Sequence, residues 1–303
     1  MTGATGNLKL SCIMLARNLI SQGYPFVEAI LSVIEYCDEF IVCEGYSTDG
    51  TYQILKRLEE HYNDKLIIKR TRWTTKSSMG ELFARLLNEA IQESSGDYIL
   101  KLDPDHVFDK STIETLLFLA KAKPQVDIFF IPYLYFVGDW IVKPELWAPT
   151  FARNTGDVFL GGDSSGFKFT FKGIAKLVLR NLRHPYGVLN SIHYAYVPVP
   201  VYHYYAIFPG NYITRIEEHK KFYRNYDWSP YDKVLSKLKF VKDWSAFWEI
   251  VAKEIVDTTW SWYGNRKIEK YIGQPPLPEL IRPLWGKWTY VVREELFEST
   301  HEN

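Results

Sequence analysis

The sequence predicts an α/β domain with a mostly parallel central sheet flanked by helices, followed by a helical extension. Three observations carry this. Short apolar runs alternate with amphipathic stretches through about the first 135 residues, the pattern of successive βαβ units. Two polar loops, at residues 44–51 and 103–106, each follow directly on an apolar run. From Asn211 onward the periodicity turns helical and rich in aromatic residues. The division predicted is residues 1–210 for the main domain and 211–303 for an aromatic-rich helical extension packed on it.

Residues 8–16 (LKLSCIMLA) are apolar with little alternation, as in a strand buried on both faces. Residues 25–36 predict a helix, with Val27, Ile30, Leu31 and Ile34 on one side. Residues 40–43 predict a second strand, and the loop 44–51 follows it. The next helix turns Ile54, Leu55, Leu58 and Tyr62 inward, and residues 65–69 predict a third strand. Ser78 and Glu81 have capping-box spacing ahead of a stripe of Leu82, Phe83, Leu86, Leu87, Ala90 and Ile91, with Gly96 as the stop. Residues 98–102 predict a fourth strand ending in Asp103-Pro104-Asp105-His106. Ser111 and Glu114 repeat the capping-box spacing before a helix to Ala122, and residues 127–135 predict a fifth strand. Residues 136–205 suit hairpins and loops. Helices are predicted over 212–226, 231–240, 244–263 and, after a Pro-rich linker at 273–278, over 284–297.

The 303 residues, 47% of them hydrophobic, suffice for a sizeable core. Lys and Arg together number 36, as do Asp and Glu, so no general pull toward nucleic acid or anionic membrane is expected and any phosphate site must be local. Cys12, Cys37 and Cys43 form no CxxC pair, and buried thiols are expected rather than a zinc site or a disulfide framework. Residues 1–7 lack the basic-then-apolar order of a signal peptide, and the longest apolar run, 128–137, is too short to span a bilayer. A cytoplasmic chain is expected, with peripheral membrane contact as a further option. Trp244, Trp248, Trp260, Trp262, Trp285 and Trp288 suit packing onto the main domain, or, less simply, a bilayer interface.

In parallel sheets, ligands bind beyond the carboxyl ends of the strands, where both polar loops begin. Asp103 and Asp105 stand two apart on a turn stiffened by Pro104. A hard divalent cation on a diphosphate needs only one or two protein carboxylates. The same triplet also forms plain turns; the strand before it and the second loop favour the ligand role. Glu44, a carboxylate ending an apolar strand, suits a nucleotide contact. Asp49 suits a cap of the following helix more than a ligand contact.

Several segments, in order, resemble the family 2 glycosyltransferases. They are Ala16-Arg17-Asn18 after the first strand, Ser47-Thr48-Asp49-Gly50-Thr51, the run from Arg85-Leu86-Leu87-Asn88 to Gly96-Asp97-Tyr98-Ile99-Leu100, and Asp103-Pro104-Asp105. The resemblance implies a GT-A fold and a nucleotide-diphosphate-sugar donor, a UDP- or GDP-sugar. It implies Mn²⁺ or Mg²⁺ as cofactor, a glycan, lipid or protein acceptor, and usually inversion at the anomeric carbon. Carried over, Ala16, Arg17, Glu44, Asp49, Arg85 and Asp103 bind the donor and Asp105 holds the metal. Glu44 replaces the family's usual Asp, and His106 replaces a frequent Glu. Val201-Tyr202-His203-Tyr204-Tyr205 resembles a late His-Tyr segment in which the histidine completes the metal shell. An imidazole suits Mn²⁺ better than Mg²⁺, although a tyrosine-packed core histidine is an equal alternative for His203. Arg215, Lys220 or Lys221 are candidates to neutralise a diphosphate.

The family implies a catalytic carboxylate after the fifth strand. Asp139, Glu145, Asp157 and Asp163 qualify, and Asp163 is selected because its flanking glycines permit close approach to a ligand. Two alternatives come from other classes: a non-catalytic nucleotide- or glycan-binding protein of the same fold, and a sugar-phosphate nucleotidyltransferase. The latter usually carries a Gly-rich basic loop after the first strand, where residues 16–23 here hold one glycine and one basic side chain.

Overall fold

The computed structural model describes residues 8–74, 78–143, 146–161, 166–174, 194–222, 227–256, 267–271 and 278–298. Its first half alternates β1 (Leu10–Ala16), α1 (Phe26–Leu31), β2 (Glu39–Glu44), α2 (Thr51–Tyr62), β3 (Leu66–Arg70), α3 (Met79–Glu93) and β4 (Tyr98–Lys101). A short β5 (His106–Val107), α4 (Lys110–Ala122) and the long β6 (Ile128–Val137) follow. Then come β7 (Trp140–Lys143), β8 (Leu146–Arg153), β9 (Val158–Leu160), β10 (Phe167–Phe169), β11 (Tyr194–Tyr196) and β12 (Val201–Ala206). The chain continues through α5 (Pro209–Phe222), α6 (Ser229–Leu238), α7 (Trp244–Val251), β13 (Lys267–Lys270) and α8 (Glu295–Glu298).

The main sheet runs β13-β7-β6-β8-β4-β1-β2-β3, with β11 and β12 pairing β6 in parallel. Strands β3, β2, β1 and β4 are parallel throughout. The predicted fifth strand, β6, does not lie beside β4. Strand β8 enters between them, antiparallel to both, because the chain returns from β6 through a hairpin rather than a helical crossover. Along β1 the side chains alternate between two cores. Leu10, Cys12, Met14 and Ala16 face the cluster that contains α1 and α4 residues, and Ile13 faces the cluster under α3. This is the double burial that the apolar run predicts.

The capping box at α3 is present, with Glu81 N–H donating to Ser78 Oγ and Ser78 N–H donating to Glu81 Oε2. The second is not. Helix α4 starts at Lys110 after Asp109, so Ser111 already lies inside the first turn and caps nothing. The predicted helix at 25–36 ends at Leu31, and a 3-10 turn over Ile34–Tyr36 completes it.

The expectation of three free thiols is corrected. Cys12 and Cys37 form a disulfide with Cα atoms 6.3 Å apart, and Cys43 is a buried thiol whose pKa burial pushes up to about 11. Parallel pairing of β1 with β2 sets Cys12 opposite Phe40, which brings the turn that precedes β2 alongside β1. Spacing along the chain carries no trace of that proximity.

The long helix predicted at 284–297 is also corrected. A 3-10 turn at Arg282–Leu284 leads to Gly286 at φ +78°, and among the described residues only the four of α8 are helical thereafter. The intervening backbone hydrogen-bonds to the rest of the protein instead, as where Tyr290 N–H donates to Asn211 Oδ1 at 2.8 Å. The Tyr290 hydroxyl and Arg293 both reach Glu28, a fully buried carboxylate on α1.

Helices α5, α6 and α7 pack through Tyr212, Ile216, Tyr231, Phe247 and Trp248 onto Tyr135, Val137 and Val142 of the sheet. Trp248 is fully buried, and Trp244 and Trp285 pack beside one another with centroids 5.5 Å apart. The predicted helices at 212–226 and 244–263 are described to Phe222 and Val251, the latter followed by a π turn over Ala252–Val256. Trp260, Trp262 and most of the predicted linker lie outside the described residues. No helix among the described residues is long and apolar enough to cross a membrane.

Candidate active site

The fourth parallel strand ends at Lys101, and the Leu102 N–H still donates to Ile13 O, which extends the ladder toward β1. A tight turn follows, closed by His106 N–H on Asp103 O at 3.0 Å. Strand β12 then clamps the turn. His203 lies opposite His106 in register, and Tyr204 N–H donates to Asp105 O at 2.8 Å. This clamp brings one ligand atom each of Asp105, His106 and His203 within 4.8 Å of one another. Arg215 from α5 donates through Nη2 to Asp105 Oδ2 at 2.8 Å, and His203 Nε2 lies 3.4 Å from the same oxygen. The Arg215 guanidinium sits 3.7 Å from the Tyr24 ring centroid, a cation–π contact that fixes its plane.

Charge is tightly organised around this turn. Burial alone would raise the Asp105 pKa, but the facing His203 and Arg215 reverse this and hold the carboxyl well below the usual range. At Asp103, burial is likewise outweighed by Lys101, whose ammonium lies 2.7 and 2.6 Å from the two carboxylate oxygens. Burial drives the His106 pKa down to about 3, so its imidazole is neutral at ordinary pH, the form that binds metals. An ionised carboxylate and two imidazoles are a fitting donor set for a divalent transition ion. His106 Nε2 and His203 Nδ1 are buried without a hydrogen-bond partner, so a cation and its water would satisfy groups the protein leaves unfilled.

These residues open into a cavity of about 470 Å³. Its walls include Arg17 and Leu19 after β1, Trp73, Phe83 and Leu87 near α3, and Tyr133, Tyr135 and Trp147 of β6 and β8. Arg215, Glu218 and His219 of α5 complete it. The cavity thus lies beyond the carboxyl ends of the parallel strands β1 and β4, the position ligands occupy in such sheets.

The model of glycosyl transferase family 2 matches residues 12–183, more than half of the chain. The chain belongs to this family. Its parallel half, with the Asp103-Pro104-Asp105 turn at the end of β4, is the GT-A fold that the motifs imply. Over 116 residues the chain is 31% identical to "Putative glycosyltransferase EpsE" of Bacillus subtilis (strain 168), a match that covers 38% of this chain and 40% of that protein. The chain thus spans less than half the length of that relative. Among solved structures, TarS of S. aureus aligns with TM-score 0.43 and 14% identity over 82% of this chain and 43% of that one. TarS 1-349 in complex with UDP aligns with TM-score 0.44 and 15% identity, covering 82% and 71%. The mannosyltransferase PcManGT from Pyrobaculum calidifontis, in complex with GDP-Man and Mn²⁺, aligns with TM-score 0.33 and 22% identity, covering 42% and 36%.

Of the residues that the family motifs single out, Arg17, Asp103, Asp105 and His203 line the cavity. Arg17 Nη1 donates to Gly45 O at 3.1 Å, and the buried Ala16 accepts from Gly45 N–H at 2.8 Å. Glu44 has no solvent exposure. Its carboxylate accepts from Tyr46 N–H, Ser47 N–H and Arg70 Nε, so it braces the 44–51 loop from beneath. Asp49 accepts from Thr51 and, at 2.8 Å, from Ser21 N–H, which ties this loop to the one after β1. Arg85 stands half exposed on α3, paired with Glu89 at 2.8 Å, and does not line the cavity. Lys220 and Lys221 pair with acidic neighbours at the surface, and only Arg215 of the three cations turns to Asp105. Asp139 pairs with Ser245 and Lys270, and neither it nor Asp157 lines the cavity. Asp163 and Glu145 lie outside the described residues.

Lys101 is a member of the site that the motifs did not single out, and His106 enters the motifs only as a departure from a frequent Glu. A lysine two residues before Asp103 in an apolar strand was a legible signal for the first, since alternate residues share a face. His106 joins through its register with β12, a long-range pairing.

The Glu44 bracing predicts a pH effect. Burial would raise its pKa, but the Ser47 amide, Arg70 and the Tyr46 amide together bring it below its ordinary 4.5. The native state therefore binds fewer protons than the unfolded one. The stability this group supplies is full above pH 4.5 and is lost as the pH falls through the lower folded value. Urea denaturation at stepped pH should show a shallower acid limb in Glu44→Gln than in the wild type; identical limbs would remove Glu44 as the brace.

Proposed function

We propose that this chain transfers a glycosyl group from a nucleotide-diphosphate-sugar donor, a UDP- or GDP-sugar, to an acceptor hydroxyl. A divalent cation, Mn²⁺ or Mg²⁺, is held by Asp105 and His203 with His106 beside them. The observation that carries this is the convergence of Asp105, His106, His203 and Arg215 in one cavity of a family 2 chain.

When bound, the cation offsets the charge that builds on the departing diphosphate. Arg17 and Arg215 add fixed positive charge along the same wall. Lys101 holds Asp103 ionised and aimed, ready to accept hydrogen bonds from ribose or sugar hydroxyls. Leu15, Leu19, Met79, Phe83 and Leu87 give the cavity an apolar side that keeps water from competing with the acceptor. The anomeric carbon–oxygen bond to the diphosphate breaks as the acceptor oxygen bonds from the opposite face, which inverts the centre. Asp163 is assigned the acceptor proton. Residues after 210 act as an extension that completes the site through Arg215.

A thermal-shift screen of UDP, GDP and TDP, each with and without Mn²⁺, tests this directly, because a ligand of the native state raises its melting temperature. One nucleotide should give a shift that depends on the metal. No shift with any of the three would overturn the donor assignment.

A further inference from the structure

We infer that the acceptor is a saccharide, and that its ring stacks on an aromatic platform formed by Phe130, Trp147, Tyr194 and Tyr196 beside the cavity. The inference rests on the glycosyl-transfer function proposed above and names its acceptor subsite.

The platform follows from strand register. Phe130 of β6 pairs with Tyr196 of β11, Ile128 with Tyr194, and Pro132 with Trp147 of β8. Register partners project from the same face, and so do residues two apart, so these four rings share one face of β8-β6-β11. They meet there. Tyr196 lies 5.2 Å from Trp147 and 5.3 Å from Phe130, and Phe130 lies 6.0 Å from Tyr194. Yet Trp147 is 44% exposed, Tyr194 42% and Tyr196 60%. Exposed large rings gathered in one patch mark a contact surface more often than chance scatter does.

Two features select the occupant. First, the patch is continuous with the reaction site, because Trp147 also lines the cavity that holds Asp103 and Asp105. A molecule lying on the rings therefore adjoins the cavity in which the donor is proposed to bind. Second, the exposed members are all tryptophan or tyrosine, flat apolar faces with a polar edge. A pyranose presents the complementary surface, a face of C–H groups rimmed by hydroxyls. An acyl chain would be better served by aliphatic side chains, which this patch does not expose.

The test uses chitotetraose, cellotetraose and mannotetraose at millimolar concentration, with saturation-transfer NMR as the readout and phosphatidylglycerol vesicles as the competing surface. At least one tetrasaccharide should bind the full chain, and both Trp147→Ala and Tyr196→Ala should weaken it by about tenfold. Tyr196, which does not line the cavity, serves as the control for folding. Its variant should keep the wild-type melting temperature and the metal-dependent nucleotide shift. Absence of saccharide binding, binding indifferent to both substitutions, or ring-dependent binding of vesicles in place of saccharide would each overturn the platform. A missing nucleotide shift alongside intact saccharide binding would instead count against the donor function.

Discussion

Asp105→Ala should lower transferase activity by about a thousandfold, a loss of about 4 kcal/mol of transition-state stabilisation, and should abolish the metal-dependent nucleotide shift. The carboxylate is 3% exposed and is the one acidic member of the cluster with the two histidines. Its loss removes the ionised carboxylate proposed to hold the cation and also takes from the buried Arg215 its anionic partner, leaving it the Tyr205 carbonyl. A buried cation deprived of its partner costs about 3–5 kcal/mol, so some loss of stability should accompany the alanine variant. Asp105→Asn separates the two effects. It keeps an acceptor for Arg215 and the shape of the turn, but an amide is a poor ligand for the cation. The asparagine variant should fold with a near-native melting temperature and still fail to respond to Mn²⁺. Wild-type turnover and metal response in Asp105→Asn would remove Asp105 from the site.

Trp248→Ala should destabilise the protein by about 3–5 kcal/mol, the range for truncating a large buried aromatic residue. Its ring is fully buried, packed edge-on against Phe247 and Tyr212 at 5.0 and 5.4 Å. It also lies against the β6–β7 turn. Gly138 has φ +56° there, and a Cβ at that position would come within 2.1 Å of the indole. The same cluster contains Ile216, next to Arg215 on α5, so a cavity here should loosen the guanidinium that meets Asp105. Urea denaturation should report the stability loss, and calorimetric titration of the cation should report weaker binding. A loss under about 1 kcal/mol would mean that α7 contributes little to holding α5 on the sheet.

The parts of this protein legible in its sequence are those that local chemistry dictates. Apolar runs of four to seven residues became β1, β2 and β4 because a strand buried on both faces has no polar side to alternate. The α3 start was legible because Ser78 and Glu81 answer each other within one turn. At α4 the same spacing misled, since the helix begins at Lys110 with Asp109 in the N-cap position, two residues before Ser111. The tail after Pro283 misled for a different reason: its hydrogen-bond partners, Asn211 and Glu28, stand far away in the chain.

The candidate site divides along the same line. By itself the sequence determined the family, the parallel strands and the two loops at their carboxyl ends, because motif spacing and hydrophobic period are short-range properties. Only the tertiary structure decided where those residues stand and what they touch. It enclosed Glu44 beneath its loop and left Arg85 on an exposed helix face. It joined Cys12 to Cys37 and set His106 against His203. It also turned Arg215, rather than Lys220 or Lys221, toward Asp105. The reason is physical: burial and strand register set which charges meet, and both depend on segments that lie tens to hundreds of residues apart.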